Sequence, residues 1–247
     1  MGIDLNKRIS LVKNTLEKKR FNGQVEVAMA LDVSGSMSGM FRDGTAQDLV
    51  ERMLAIGVNL DNNKKIDSYI FNHGFKKLPE ITLENYNNYA NTEILDKGYV
   101  VGGTKYSPVL QAIVEDHIGI QKNQRPVGSG IFSLFSKKNK KEEINIQKTN
   151  QLPLVIFFIT DGDCWDSKEV EKKIIEYSKE NVFIQFIGIS QSSTSEFKFL
   201  EHLDDMTGRH RDNVNFFNSG TTRNLDDDEL YEAILKEMPL WYKEITQ

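Results

Sequence analysis

Two stretches of the chain are apolar for the full length of a strand, and the rest is arranged around them. Residues 25–31 (Val-Glu-Val-Ala-Met-Ala-Leu) carry one charge, Glu26, near their start, and residues 152–160 (Leu-Pro-Leu-Val-Ile-Phe-Phe-Ile-Thr) carry none. Apolar runs this short, without period-two alternation, predict strands buried on both faces. The second run is the stronger and is expected at the centre of a sheet. Residues 66–71, 182–189 and 214–217 read the same way more weakly. Residues 75–78 predict a short edge strand ahead of Pro79.

Between these runs the apolar period becomes helical. Leu5, Ile9, Val12 and Leu16 predict an amphipathic helix over 4–20, ended by Asn22-Gly23. Leu49, Val50, Met53, Leu54, Ile56 and Val58 predict a second, from Asp43-Gly44-Thr45 to about Leu60. Val109, Leu110, Ile113 and Val114 give a third its buried side, with Pro108 in its first turn. Residues 82–95 are polar and Asn-rich, a helix plus loop. Residues 167–179 predict a helix with Ser167 as N-cap, and 197–206 another. Asp226-Asp-Asp-Glu opens a C-terminal helix to Tyr242, its acids at the positive end of the dipole. Strands alternating with helices predict an α/β fold, a doubly wound and mostly parallel sheet flanked by helices, in one domain over 1–247.

One segment breaks the pattern. Residues 120–151 hold Lys122, Arg125, Lys137, Lys138, Lys140, Lys141 and Lys148 against Glu142 and Glu143, a net +5. Connections beyond about 12–15 residues are uncommon inside a compact domain, so this reads as a basic insertion. Its Gly-Ile-Phe-Ser-Leu-Phe run at 130–135 beside the four lysines of Lys137-Lys-Asn-Lys-Lys141 suits contact with acidic lipid or an acidic partner; a solvated loop is the plainer alternative.

Composition narrows the rest. At 247 residues and 39% hydrophobic the chain can bury a substantial core, and a net charge of -5 gives no reason to expect nucleic-acid binding. A single cysteine, Cys164, excludes an internal disulfide and fits a reducing compartment. No stretch has the length of a membrane span, and the first residues lack a signal peptide's apolar core, so the expected location is the cytoplasm.

The candidate chemistry lies where the two strongest strands end. Asp32-Val-Ser34-Gly-Ser36 follows the first and Asp161-Gly162-Asp163 the second, while Gly102-Gly103-Thr104 precedes the Pro108 helix. In an open α/β sheet, ligands bind beyond the carboxyl ends of the strands. Asp32, Ser34, Ser36, Thr104 and Asp161 together offer two carboxylates and three hydroxyls. That oxygen-only set suits Mg²⁺, with Mn²⁺ and Ca²⁺ as alternatives, and lacks the Cys, His or Met donors of zinc or copper. An open coordination position would favour a carboxylate from another molecule.

These motifs, in this order and context, resemble the metal-ion-dependent adhesion site of von Willebrand factor A (vWA) domains. The resemblance is greatest to the tellurite-resistance, TerF-like branch. It is carried by Leu-Asp-x-Ser-Gly-Ser-Met at 31–37, Gly-Gly-Thr-x-Tyr-x-Pro-Val at 102–109, Phe-x-Thr-Asp-Gly at 158–162, Gln-Phe-Ile-Gly at 185–188, Phe-Leu-x-x-Leu-Asp-Asp at 199–205 and Glu-Met-Pro-Leu-Trp at 237–241. It implies hydroxyl ligands at Ser34, Ser36 and Thr104, with Asp32 and Asp161 coordinating directly or through water. It also implies a non-enzymatic, metal-dependent interaction module that accepts an acidic side chain from a protein partner, in bacterial tellurite or chemical-stress resistance. The insertion is longer than that branch usually shows.

The competing reading is a Mg²⁺-dependent phosphatase or hydrolase. Against it, the loops contain no Asp-x-Asp pair after the first strand, no evident base, and no Gly-x-x-x-x-Gly-Lys phosphate loop. Met37, Met40, Phe41, Tyr106 and Trp165 are expected to ring the metal as a partner-binding rim. Asp163 and Asp166 read as solvated loop acids. His73, His117, His202 and His210 show no ligand spacing and read as structural or surface residues.

Overall fold

The two apolar runs become the two central strands of a six-stranded sheet. The structure is a computed structural model and describes residues 4–118, 152–162, 164–190, 197–220 and 226–247. The strands are β1 (Glu26–Asp32), β2 (Asp67–Phe71), β3 (Phe75–Lys77), β4 (Leu154–Thr160), β5 (Val182–Gly188) and β6 (Val214–Asn218). They lie in the order β3-β2-β1-β4-β5-β6. All neighbours are parallel except β3, which returns antiparallel along β2 as the edge strand.

Each central strand alternates its apolar side chains between two cores. Met29, Leu31, Phe157 and Ile159 face one layer, formed by α1 (Leu5–Lys18), α3 (Thr45–Leu60), α7 (Asp227–Ile234) and α8 (Met238–Thr246). Ala28, Ala30, Ile156 and Phe158 face the other, formed by α4 (Ser107–Ile118), α5 (Ser167–Tyr177) and α6 (Lys198–Asp205). Burial on both faces is why these strands read as continuous hydrophobic runs.

The chain winds from β1 outward to β3, then from β4 outward to β6. The winding therefore reverses between β1 and β4, the topological switch point where such sheets open a crevice. The register pairs Leu31 with Ile159, so the next residues, Asp32 and Thr160, leave the sheet side by side.

Three expectations need correction. Met37, Met40, Phe41 and Tyr106 are at most 3% exposed and form no rim. After a 3₁₀ turn (Gly35–Met37) the chain doubles back as α2 (Ser38–Arg42), which drops Met37, Met40 and Phe41 into the core beneath α3. Tyr106 packs edge-on against Phe71 and Phe158 in the opposite core. The C-terminal helix is two helices, because Pro239 cannot continue a helix and instead opens the first turn of α8. Asp166, not Ser167, is the residue capping position of α5, and its side chain makes no bond to that helix. The basic insertion and Asp163 lie outside the described residues.

Candidate metal centre

β1 and β4 deliver their last residues to the switch point, and side-chain bonds connect them there. Asp32 is fully buried. Its Oδ1 accepts from the Ser34 backbone N–H at 2.7 Å and its Oδ2 from the Thr160 hydroxyl at 2.7 Å. The Ser34 and Ser36 hydroxyl oxygens are 3.0 Å apart, and the Ser36 hydroxyl donates to Asp161 Oδ1 at 3.0 Å. Four of the five sequence-predicted residues therefore form one connected set of oxygens.

Thr104 stands on a separate loop, which backbone bonds tie to the site, and no side-chain hydrogen bond joins it to the other four among the described residues. Its backbone is held on both sides. Lys105 N–H donates to the Asn72 carbonyl at 2.7 Å, and Trp165 N–H donates to the Thr104 carbonyl at 3.1 Å. Gly35 N–H donates to the Gly102 carbonyl at 3.0 Å, which ties this loop to the Ser34–Ser36 turn. Gly102 adopts φ +87°, a conformation that favours glycine, and a Cβ there would also lie 2.6 Å from His73 Nδ1.

Sequence reasoning missed one supporting group, Thr160, and misassigned two, reading Tyr106 as rim and Asp166 as a solvated loop acid. Thr160 orients Asp32 as above. The Tyr106 hydroxyl lies 3.1 Å from Thr160 Oγ1 and donates to the Gly162 carbonyl, which fixes the turn carrying Asp161. Asp166 spans two loops: its oxygens accept from the Tyr106 and Ser107 amides at 3.1 and 2.9 Å, satisfying the first N–H groups of α4. A threonine ending an otherwise apolar buried strand was the one available signal for Thr160; the other two contacts depend on loop paths.

Burial pushes the Asp32 carboxyl up to about 6, against the hydrogen bonds from Ser34 and Thr160, and the charge of Asp161 pushes the same way. Burial also raises Asp161, opposed by the Ser36 hydroxyl. Two carboxylates are thus held together where their charges are poorly solvated, an arrangement that a cation relieves. Among the described residues no group of three or more His, Cys, Asp and Glu side chains is placed to hold a metal ion, and the non-carboxylate oxygens at this site are hydroxyls. Spacing also fits. Adjacent ligands of an octahedral ion at ~2.0–2.1 Å are about 2.8–3.0 Å apart. The Ser34–Ser36 and Ser36–Asp161 separations of 3.0 Å, those of ordinary hydrogen bonds, are also short enough for neighbouring ligands of one cation.

Comparison with known proteins bears on the fold and the family. Residues 24–247 match the vWA-TerF-like family, described as the vWA found in the TerF C terminus. The chain belongs to this family. As a vWA-TerF-like protein it is 32% identical over 249 residues to the uncharacterized protein YcbR of Bacillus subtilis (strain 168), covering 99% of this chain and 88% of that one. Its fold is similar to the SpRpn10 VWA domain, with TM-score 0.53, 16% identity, and 84% and 93% of the two chains covered. A looser likeness is to proximal thread matrix protein 1 of the mussel byssus, in a structure with a zinc-occupied MIDAS motif. There the TM-score is 0.46 at 18% identity, over 89% of this chain and 47% of that one. Among the described residues, no helix is long and apolar enough to cross a membrane.

Proposed function

We propose that this vWA-TerF-like chain is a metal-dependent protein-interaction module, not an enzyme. Asp32, Ser34, Ser36, Thr104 and Asp161 hold Mg²⁺, or Mn²⁺ in its place, and the site accepts a carboxylate from a protein partner. The observation that carries this reading is the Ser34–Ser36–Asp161 chain of oxygens at 3.0 Å steps beside the fully buried Asp32. Preformed spacing means that little must move when the cation arrives.

Each residue has a distinct part. Asp32 supplies buried negative charge, aimed by Thr160 and by the Ser34 amide. Ser34 and Ser36 supply neutral oxygens, which leave the cation short of charge compensation. Asp161 supplies the second carboxylate from the facing strand, and Thr104 adds a hydroxyl from a separately anchored loop. When bound, the cation supplies an electrophilic seat for an incoming anionic oxygen. Both site carboxylates are committed to holding it, which leaves neither as nucleophile or base for a hydrolase. We further propose a setting in bacterial tellurite or chemical-stress resistance, in the cytoplasm, on the resemblance to the TerF-like branch alone.

Thermal unfolding after EDTA treatment tests the reading. Added Mg²⁺ should raise the midpoint through binding to the folded state, and it should not act on Asp161→Ala. Equal shifts in that variant would overturn the assignment.

A further inference from the structure

Among the described residues six large hydrophobic side chains are exposed, and three of them stand on elements at the same sheet edge as the candidate metal centre: Trp165 bonded to the Thr104 carbonyl, Val101 next to Gly102, and Phe75 paired with Phe71 at the end of β2. Scattered exposed apolar residues need no explanation; Trp165 differs because it is both exposed and held. It is 74% exposed, yet its amide is bonded to the Thr104 carbonyl and its ring lies against Gly103, where an added Cβ would come within 2.5 Å of it. Asp166, the next residue, is bonded to the start of α4. A large aromatic ring fixed before any partner arrives loses little freedom on binding, which is the character of an interface anchor.

On the other side of the Gly102 loop lies a cleft of about 220 Å³ lined by Val33, Phe75, Lys76, Tyr99 and Val101. Val33 adjoins Ser34, and Val101 adjoins Gly102, whose carbonyl is bonded to Gly35. Two of the residues lining the cleft therefore stand one position along the chain from the loops that carry the candidate ligands, with Val33 at its buried floor. The cleft is smaller than the roughly 300–1,000 Å³ of sites that hold drug-sized molecules, and suits one large side chain. Lys76 also lines it, with its Nζ 4.4 Å from the centre of the Tyr99 ring and bonded to the Tyr99 hydroxyl, so the cleft carries a positive charge.

We propose that the partner is a protein segment in which a large aliphatic or aromatic residue lies within two positions of the Asp or Glu that meets the cation. The apolar side chain fills the Val33–Tyr99–Val101 cleft, and Trp165 covers the segment from the opposite side. An extended chain advances about 3.3 Å per residue, so that spacing spans the step from the ligand hydroxyls to the cleft. Lys76 adds a preference for a second acidic residue beyond the apolar one. This proposal rests on the cation-and-carboxylate reading above and adds the residues that select the partner.

Phage-displayed decapeptides with a fixed central Asp, selected on the immobilised protein with Mg²⁺ or with EDTA, test it. Recovery should be about tenfold higher with Mg²⁺, with Leu, Ile, Phe or Met enriched within two positions of the Asp; Trp165→Ala and Val101→Ser should each lower it about tenfold. Calorimetry on the same two surface variants should show unchanged Mg²⁺ affinity. A synthetic peptide from the selection should shift the wild-type tryptophan emission to shorter wavelength but not that of Trp165→Phe, because the other tryptophan, Trp241, is buried. Mg²⁺-dependent peptides without apolar enrichment, no recovered peptide despite Mg²⁺ binding, or undiminished recovery on both variants would each overturn the cleft proposal and leave the metal reading standing. Absence of Mg²⁺ binding to the wild type would remove both.

Discussion

Thr160 donates its hydroxyl to Asp32 Oδ2 at 2.7 Å, across the seam where the two central strands part. The bond joins the last residue of β4 to the last residue of β1 and aims a buried carboxylate at the crevice. Thr160→Val keeps the shape and removes the donor. We expect the variant to fold, to lose about 1–3 kcal/mol of stability, and to bind Mg²⁺ about 10- to 100-fold more weakly, as removal of an orienting partner usually does. Urea titration and calorimetry on one preparation check both.

Asp32 should set function against stability. Burial holds its carboxyl at about 6 in the folded chain, so its charge is a burden to the metal-free protein near neutral pH. In EDTA, Asp32→Asn should be as stable as the wild type or more so, by on the order of 1–3 kcal/mol at pH 7. It should also fail to gain stability from Mg²⁺. Denaturant midpoints with and without the ion decide the matter.

His117 predicts a pH dependence at the far end of the sheet. Burial lowers its pKa, but the hydrogen bonds and charges of Asp67 and Glu26 outweigh this and raise it overall. Nδ1 lies 2.6 Å from Glu26 and Nε2 2.9 Å from Asp67, so the charged ring clamps the start of β1, the start of β2 and the end of α4. A raised folded value means that the stabilisation is complete below 6.5 and fades as pH rises through it. Asp67 is lowered despite its burial, chiefly by His117, so its share is present above 3.8 and fades as pH falls through its folded value. His117→Gln should flatten the alkaline decline in a series of urea midpoints from pH 6 to pH 9.

Arg8 should prove the most costly surface-helix residue to remove. It is 2% exposed, and its Nε lies 3.1 Å from Asp227, which Arg52 also contacts at 3.3 Å. Arg8 further pairs with Asp48 and with Glu51, so one guanidinium joins α1, α3 and α7. Arg8→Met leaves Asp227 buried with one cation fewer, at a cost of about 3–5 kcal/mol. Unfolding free energy measures it, and a cost below about 1 kcal/mol, the level of exposed pairs, would contradict the account.

What the sequence made legible follows from how each signal arises. Strands buried on both faces must be apolar throughout, so β1, β4 and β5 were readable, and with them the edge at which Asp32 and Asp161 stand. Short motifs with fixed offsets brought Ser34 and Ser36 with them. Loop paths are different: nothing local distinguishes a Met37 or Phe41 that stays in the rim from one that a doubled-back helix buries. Tyr106 and Asp166 act across gaps of 56 and 60 residues, on Gly162 and on the start of α4 respectively. The acidic start at Asp226 showed where the last helical segment begins, while Pro239, which marks the break before α8, was passed over.

Titration calorimetry of Mg²⁺ into the EDTA-treated protein and into Asp32→Ala tests the central claim most directly. The account predicts one site in the wild type and no measurable heat in the variant. A wild type that binds no Mg²⁺, or a variant that binds it equally well, would contradict it.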